Sequence, residues 1–251
     1  MYEAVYIFLK KVQKDKVISK LNDICQNNKW GKERKSQVFI TIQLNLVVCA
    51  NIISRPKRGD GFMSIFLLRH GETDWNVVDR CQGHTDIPLN ETGKKKIEQV
   101  AFNFKKNMGD INYIVSSPLC RANESALIFS NSIGYKGEII IDELFIERNF
   151  GLAEGLLGEE IKFKFPDLDV PEMEPEKNVF SRVIQRLNYY DSIYSDINIL
   201  VVTHGAVLKT LVDNQTTYCE ADINVVKSVP GGLFKLDLRN GEHQIKEIKV
   251  L

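Results

Sequence analysis

The sequence has no long apolar run. No stretch reaches the ~18 consecutive apolar residues that a membrane-spanning helix needs, and the nearest, residues 38–53, is broken by Gln43, Asn45 and Asn51. That stretch also sits too deep in the chain, behind too many charges, to be a secretory signal. Cysteine is scarce: Cys25, Cys49, Cys81, Cys120 and Cys219 are scattered without metal-ligand spacing. An odd, unpatterned set argues against a disulfide framework and fits free thiols in a reducing cytoplasm. Net charge is absent as well, with 33 Lys and Arg against 33 Asp and Glu. Such a balance argues against a nucleic-acid binder. The expected partners therefore include neither nucleic acid nor membrane.

The balance hides an asymmetry. Residues 1–62 hold twelve Lys and Arg against five Asp and Glu, whereas residues 63–251 hold twenty-one against twenty-eight, and all four histidines. Within the basic part, residues 2–21 read as an imperfect amphipathic helix and residues 38–53 as one or two strands. Residues 55–61 read as a basic linker. A nucleic-acid or membrane-surface arm is one reading of this part. The other, preferred here, is that residues 1–62 are not a functional domain. Lys57-Arg58-Gly59-Asp60-Gly61 can be encoded almost entirely by purines, as in a bacterial ribosome-binding site, and Met63 follows at a suitable distance. The natural start is therefore expected at Met63, with one domain over residues 63–251.

From residue 64 onwards strands alternate with helices. Short apolar runs at 64–68 and 112–116 predict buried strands, with further strands at 138–141 and, near-continuously apolar, at 198–202. Further strands are expected at 223–229 and 232–238, and an edge strand at 242–250. Helices are expected from Asn90 or Thr92 to about 107, over 119–131 with Pro118 in the first turn, at 159–165, at 176–194 and from 206. This alternation predicts an α/β fold, a three-layer α/β/α sandwich with a mostly parallel central sheet.

The first strand ends at Arg69-His70-Gly71, followed by Glu72-Thr73-Asp74-Trp75-Asn76. A cation, an imidazole and a glycine at the carboxyl end of a buried strand stand where open α/β sheets place ligands. Gly71 is expected to let the backbone turn tightly and approach a ligand. Neutral imidazole is a competent nucleophile near neutral pH. Arg69 offers a planar fork of donors suited to phosphate. Matching parts recur in order: Arg80 and Gln82-Gly83-His84-Thr85-Asp86, then Ser116-Ser117-Pro118-Leu119-Cys120-Arg121, then Glu147-Arg148-Asn149-Phe150-Gly151 with Glu154-Gly155, then Val202-Thr203-His204-Gly205. Taken singly, each has a plain structural use: Arg121 as a surface helix residue, Glu147-Arg148 as a solvated pair, His204 as a core histidine. Their joint order carries the argument.

In that order the motifs resemble those of the histidine phosphatase superfamily, the phosphoglycerate mutase-like proteins, over residues 64 to about 240. The resemblance implies that His70 attacks phosphorus and becomes a phosphohistidine. It implies that Arg69, Arg121 and His204 hold the phosphoryl group, and that Glu147 serves as acid and then base. It further implies substrate contacts from Thr73, Asn76, Gln82, Gly83, Gly205 and Ala206, with no metal and no cofactor. His84 and His243 receive no role. Ser125 stands where the family usually has threonine, a change that keeps the hydroxyl and is expected to matter little. The segment from Glu147 to Thr203 is shorter than in the phosphoglycerate mutases, which carry an insertion there that helps to cover the substrate. A shorter lid admits water, so the expectation is a metal-independent phosphatase acting on small-molecule phosphate monoesters. The alternatives are a 2,3-bisphosphoglycerate-dependent phosphoglycerate mutase and a non-catalytic phospholigand-binding module. Oligomeric state, monomer or homodimer, is left open.

Overall fold

A computed structural model describes residues 64–194, 197–214, 229–239 and 242–247, with residues 237–239 and 242–247 described by backbone alone. The basic segment and the expected start at Met63 lie outside the described residues. So does the strand expected at 223–229, except for Val229, which is not in a strand.

Among the described residues six strands form one sheet: β1 (Ser64–Arg69), β2 (Tyr113–Ser116), β3 (Ile139–Ile141), β4 (Asn198–Thr203), β5 (Leu233–Arg239) and β6 (Glu242–Glu247), in the order β3-β2-β4-β1-β5-β6. The first four in that order run parallel, and β5 and β6 continue the sheet by antiparallel pairing. Among the described residues six helices accompany them: α1 (Asp74–Val77), α2 (Glu91–Met108), α3 (Cys120–Ile133), α4 (Gly158–Lys164), α5 (Glu176–Ile193) and α6 (Gly205–Asp213).

Alternate strand residues face opposite layers, as the pleat requires. Ile65 and Leu67 of β1, with Ile199 and Val201 of β4, pack against Val179, Val183 and Leu187 of α5 and Val207, Leu208 and Leu211 of α6. Phe66, Leu68, Leu200 and Val202 point the other way, onto Ile97, Val100 and Phe104 of α2 and Ala122, Ala126 and Phe129 of α3. Both faces are covered, which explains why these strands read as continuous apolar runs. The expected three-layer sandwich with a mostly parallel sheet is the observed fold.

The topology dictates where a ligand can sit. β1 is followed by a helix on one face and β4 by a helix on the other, yet the two strands are neighbours, with Arg69 opposite Thr203. The connections diverge and open a crevice at the carboxyl ends of β1 and β4, the usual ligand position in such sheets.

Several local expectations shift. α3 begins at Cys120, with Leu119 at its N-cap, so Pro118 precedes the helix rather than opening it. The cap oxygen comes from elsewhere: Asp86 Oδ1 accepts from the Cys120 amide at 2.8 Å. Gly71 also serves close packing. A Cβ there would meet the carbonyl oxygen of Gly93, in the first turn of α2, at 2.7 Å. α2 itself starts where Asn90 Oδ1 accepts from the Gly93 amide at 2.8 Å. Among the described residues no helix is long and apolar enough to cross a membrane.

Candidate active site

The crevice is a cleft of ≈ 390 Å³. Of the residues expected in the site, Arg69, His70, Asn76, Gln82, Gly83, Arg121, Glu147, Gly205 and Ala206 line it. His204 and Thr73 do not. Thr73 is fully buried, and its hydroxyl caps the short α1 by accepting from the Asn76 amide at 3.2 Å. In return, Asn76 Oδ1 accepts from the Thr73 amide and hydroxyl, each at 3.0 Å. Asn76 thus keeps its Nδ2 amine as the donor for a ligand, while Thr73 acts one step back from the cleft.

His70 stands just past β1, anchored by its amide to the Thr203 carbonyl at 3.0 Å. Its Nδ1 lies 2.7 Å from the Gly71 carbonyl. A carbonyl only accepts, so Nδ1 carries the proton and Nε2 keeps its lone pair; the tautomer is assigned from this bond. Burial holds the imidazole well below its ordinary pKa, and the charges of Arg69 and Arg121 act the same way. His70 is therefore neutral at neutral pH.

Its neighbour His204 lies with its ring centre 5.1 Å away. Burial and then Arg121 keep it neutral too. His204 Nε2 is 2.6 Å from Ser117 Oγ, and Nδ1 has no hydrogen-bond partner among the described residues.

Two guanidinium groups face this pair. Arg121 is 1% exposed, and its Nη2 and Nη1 donate to the carbonyls of Gly83 at 2.7 Å and Thr85 at 2.9 Å. Its Nε has no partner among the described residues. One edge of the fork is thus fixed by the loop and the other is left for an anion. Arg69 passes Gly205 so closely that a Cβ there would lie 3.2 Å from Cζ. Burial lowers the pKa of both arginines, and the carboxylate of Glu147 opposes that shift. Ser125, whose replacement of threonine was expected to matter little, has two uses for its hydroxyl. Oγ accepts from the Gly71 amide at 3.0 Å and donates to the Arg121 carbonyl at 2.7 Å, tying the His70 loop to α3.

Glu147 is 7% exposed. Its carboxylate accepts from the Arg148 amide at 2.9 Å and from the Ala206 amide, at the start of α6, at 3.3 Å. The partial positive charge of the helix N-terminus suits that placement. The Glu147 carbonyl is held from two sides, by His84 Nε2 at 2.8 Å and Arg182 Nη2 at 3.1 Å. Arg182 also makes a two-point pair with Glu174, through Nε at 3.0 Å and Nη2 at 3.1 Å.

Sequence reasoning left several of these residues unassigned. His84 and Glu154 stand inside the motifs without a role, and they, like Arg182 and Glu174, hold backbone groups whose pairing leaves no pattern in a sequence. Arg80, Phe150, Ile161 and Lys209 form the outer wall of the cleft. Cys81, also on the wall, has its thiol pushed up to about 12 by burial and then by Glu154, so it is not a thiolate. Among the described residues no group of three or more His, Cys, Asp or Glu side chains is placed to hold a metal ion.

Comparisons with known proteins find relatives in both sequence and fold. The chain is 32% identical to the "Uncharacterized phosphatase PhoE" of Bacillus subtilis over 187 residues, 74% of this chain and 94% of that protein. It is 32% identical to "Phosphoglycerate mutase-like protein 4" of Arabidopsis thaliana over 162 residues, 60% of this chain and 70% of that protein. Among solved structures, phosphoserine phosphatase of Entamoeba histolytica in complex with 3-phosphoglyceric acid aligns with a TM-score of 0.61 at 26% identity, over 76% of this chain and all of that one. A mycobacterial glucosyl-3-phosphoglycerate phosphatase aligns with a TM-score of 0.64 at 22% identity, over 73% and 97% of the two chains, a likeness of fold. The family model for branch 1 of the histidine phosphatase superfamily matches residues 65–250, and the chain belongs to that superfamily.

Proposed function

We propose that this protein is a metal-independent phosphatase that hydrolyses small-molecule phosphate monoesters through a phosphohistidine on His70. The observation that carries the reading is the neutral His70 imidazole, with Nδ1 tied to the Gly71 carbonyl and Nε2 left as the nucleophile, beside two buried guanidinium groups. Arg69 and Arg121 neutralise the phosphoryl oxygens, and the free edge of Arg121 is preset by the Gly83 and Thr85 carbonyls. Such preorganised donors act where the charge of phosphoryl transfer spreads.

Nε2 bonds to phosphorus as the P–O bond to the leaving alcohol breaks. Glu147 gives a proton to the departing oxygen. The phosphoimidazole keeps its Nδ1 proton, which the Gly71 carbonyl stabilises. Glu147 then takes a proton from water, whose oxygen attacks phosphorus, and Nε2 leaves with the lone pair. Dividing the displacement in two lowers each barrier. The whole site must supply about 20 kcal/mol or more, because uncatalysed monoester hydrolysis is among the slowest reactions known.

The mutase reading draws support from the relatives named phosphoglycerate mutase-like. Against it, the residues after Glu147 form only short covering elements, a 3-10 turn (Gly151–Ala153) and the seven-residue α4, ahead of the 18-residue α5. The free thiols of Cys81 and Cys120 suit a cytoplasmic site of action, with a small-molecule monoester as the partner. The test is inorganic phosphate release from a panel of monoesters by the full chain in EDTA, with His70→Ala alongside. The panel includes phosphoserine and 3-phosphoglycerate, the former because the Entamoeba protein has been seen with it. Release by the wild type alone supports the reading. No release, with conversion of 3-phosphoglycerate after priming by 2,3-bisphosphoglycerate, replaces it with the mutase.

A further inference from the structure

The loop of Gly83, His84 and Thr85 lies between two opposite charges. Its carbonyls at Gly83 and Thr85 accept from the Arg121 guanidinium at 2.7 and 2.9 Å. Its amides face the other way, onto one carboxylate. Glu154 Oε1 accepts from the His84 amide at 2.8 Å, and Oε2 accepts from the Thr85 amide at 3.0 Å and the Thr85 hydroxyl at 2.8 Å. Oε1 also accepts from the Phe150 amide at 3.1 Å, which joins the loop to the chain just after Glu147. The His84 imidazole closes the circuit by donating from Nε2 to the Glu147 carbonyl at 2.8 Å.

We propose that Glu154, which does not line the cleft, is a positioning residue that sets both Arg121 and Glu147 through this loop. The inference rests on the phosphatase reading above. With its amides on an anion and its carbonyls on a cation, each peptide of the loop has one favoured orientation. The bonds are charge-assisted and correspondingly strong. Burial raises the Glu154 pKa, but the hydrogen bonds from His84, Thr85 and Phe150 outweigh it and the net shift is downward, so the carboxylate stays ionised. Gly83 fits the same design. Its φ is +53°, and a Cβ there would lie 1.9 Å from Glu154 Oε1, so only glycine leaves the carboxylate room.

Without the carboxylate the His84 amide and the Thr85 hydroxyl lose their acceptor, the Thr85 amide keeps only the Gln82 carbonyl at 3.0 Å, and the loop can rotate its carbonyls away from Arg121. A displacement of about 1 Å in a positioned group can cost on the order of 100-fold in rate.

The test compares Glu154→Gln and Glu154→Asp with the full wild-type chain, using p-nitrophenyl phosphate for kinetics and orthovanadate for binding. Val100→Ala, in the apolar face of α2 away from the cleft, is the control for lost stability. Glu154→Gln keeps the shape but turns an amine onto backbone donors. It is expected to lose about 10- to 100-fold in kcat, with KM moving less, and a comparable factor in vanadate affinity. Glu154→Asp, which keeps the charge on a shorter arm, should recover part of both. Val100→Ala should lower Tm at least as far while keeping kcat and vanadate affinity within about twofold. Should Glu154→Gln fail to fold, Glu154→Asp carries the same comparison alone. Variants matching the wild type in kcat and vanadate affinity, or falling no further than Val100→Ala, would make Glu154 a structural clip only and overturn the inference. A wild type that neither hydrolyses the ester nor binds vanadate would instead overturn the phosphatase reading, and the inference with it.

Discussion

The sandwich interior and the cage at its carboxyl edge are equally buried and built on opposite principles. In the interior, Phe66, Phe104 and Phe129 pack edge to face between the sheet and two helices, with ring centres 4.9 and 5.5 Å apart. One residue beyond the ends of β1 and β4, at the same depth, stand His70 and His204, with Arg121 and Glu147 beside them. Burying apolar area stabilises the first region, by roughly 25 cal/mol per Å². Burying charge and neutral imidazole destabilises the second. The cage is therefore held by the sheet rather than holding it. Its groups are oriented by backbone donors and acceptors that the sandwich has already placed. The contrast teaches that changes in the cage should cost activity while sparing stability, and changes in the interior should do the reverse.

His70→Ala is the sharpest attack on one side only. Loss of the nucleophile should lower kcat by about four orders of magnitude or more, with folding intact in thermal denaturation. Persistent acid-labile phosphorylation of the protein by substrate would remove His70 as the nucleophile. Glu147→Gln should come next, at about 10²- to 10⁴-fold in kcat, the usual range for a general acid. The loss should be smaller for p-nitrophenyl phosphate, whose leaving group needs little protonation, than for an alkyl phosphate. Equal losses on both esters would show that Glu147 does not protonate the leaving oxygen. Phe104→Ala strikes the other region. It should cost about 3–5 kcal/mol of unfolding free energy, by the rule for large-to-small core changes, measured by urea denaturation. Its kcat at a temperature where it is folded should match the wild type, and a large fall in kcat would break the division between the regions.

The two regions also differ in how well a sequence discloses them. Residues 198–202 read as a buried strand because both faces of β4 are covered, so the apolar run is unbroken. Asn90 and Thr92 both read as starts of α2, and Asn90 is the cap, through a bond to the Gly93 amide only three residues on. The start of α3 was misplaced because its cap oxygen belongs to Asp86, far back in the chain. The order of the motifs points to Arg69, His70, Arg121, Glu147 and His204, and the structure brings the first four to one cleft with His204 packed beside His70. Thr73 was misassigned to the cleft because a capping hydroxyl and a ligand-binding hydroxyl look alike in one dimension. The close approach of Gly71 to Gly93 is hidden for a similar reason: nothing in the sequence says which distant atom a glycine makes room for. His84, Arg182 and Glu154 act on carbonyls and amides, and any residue supplies those, so no pattern marks the pairing.

The smallest effect tests the electrostatic half of the contrast. His70 and His204 are held neutral in the folded chain, by burial first and by neighbouring cations second. Unfolded, each takes up a proton near its ordinary pKa of about 6.5. Below that value the unfolded state binds more protons than the folded one, so stability falls as pH falls. The slope is at most about 1.4 kcal/mol per pH unit for each imidazole, and ends where the folded groups themselves protonate. Glu154 adds to the same direction at lower pH, because its depressed carboxylate pKa gives stability that is lost on protonation. Urea denaturation at about pH 7 and about pH 5.5 should show the fall, and His70→Ala should show a smaller one, by up to one imidazole's share. An equal slope in wild type and variant would mean that His70 takes up its proton in the folded chain as readily as in the unfolded one. The cage would then not be holding the nucleophile neutral, and Nε2 would be blocked by a proton in mildly acidic solution.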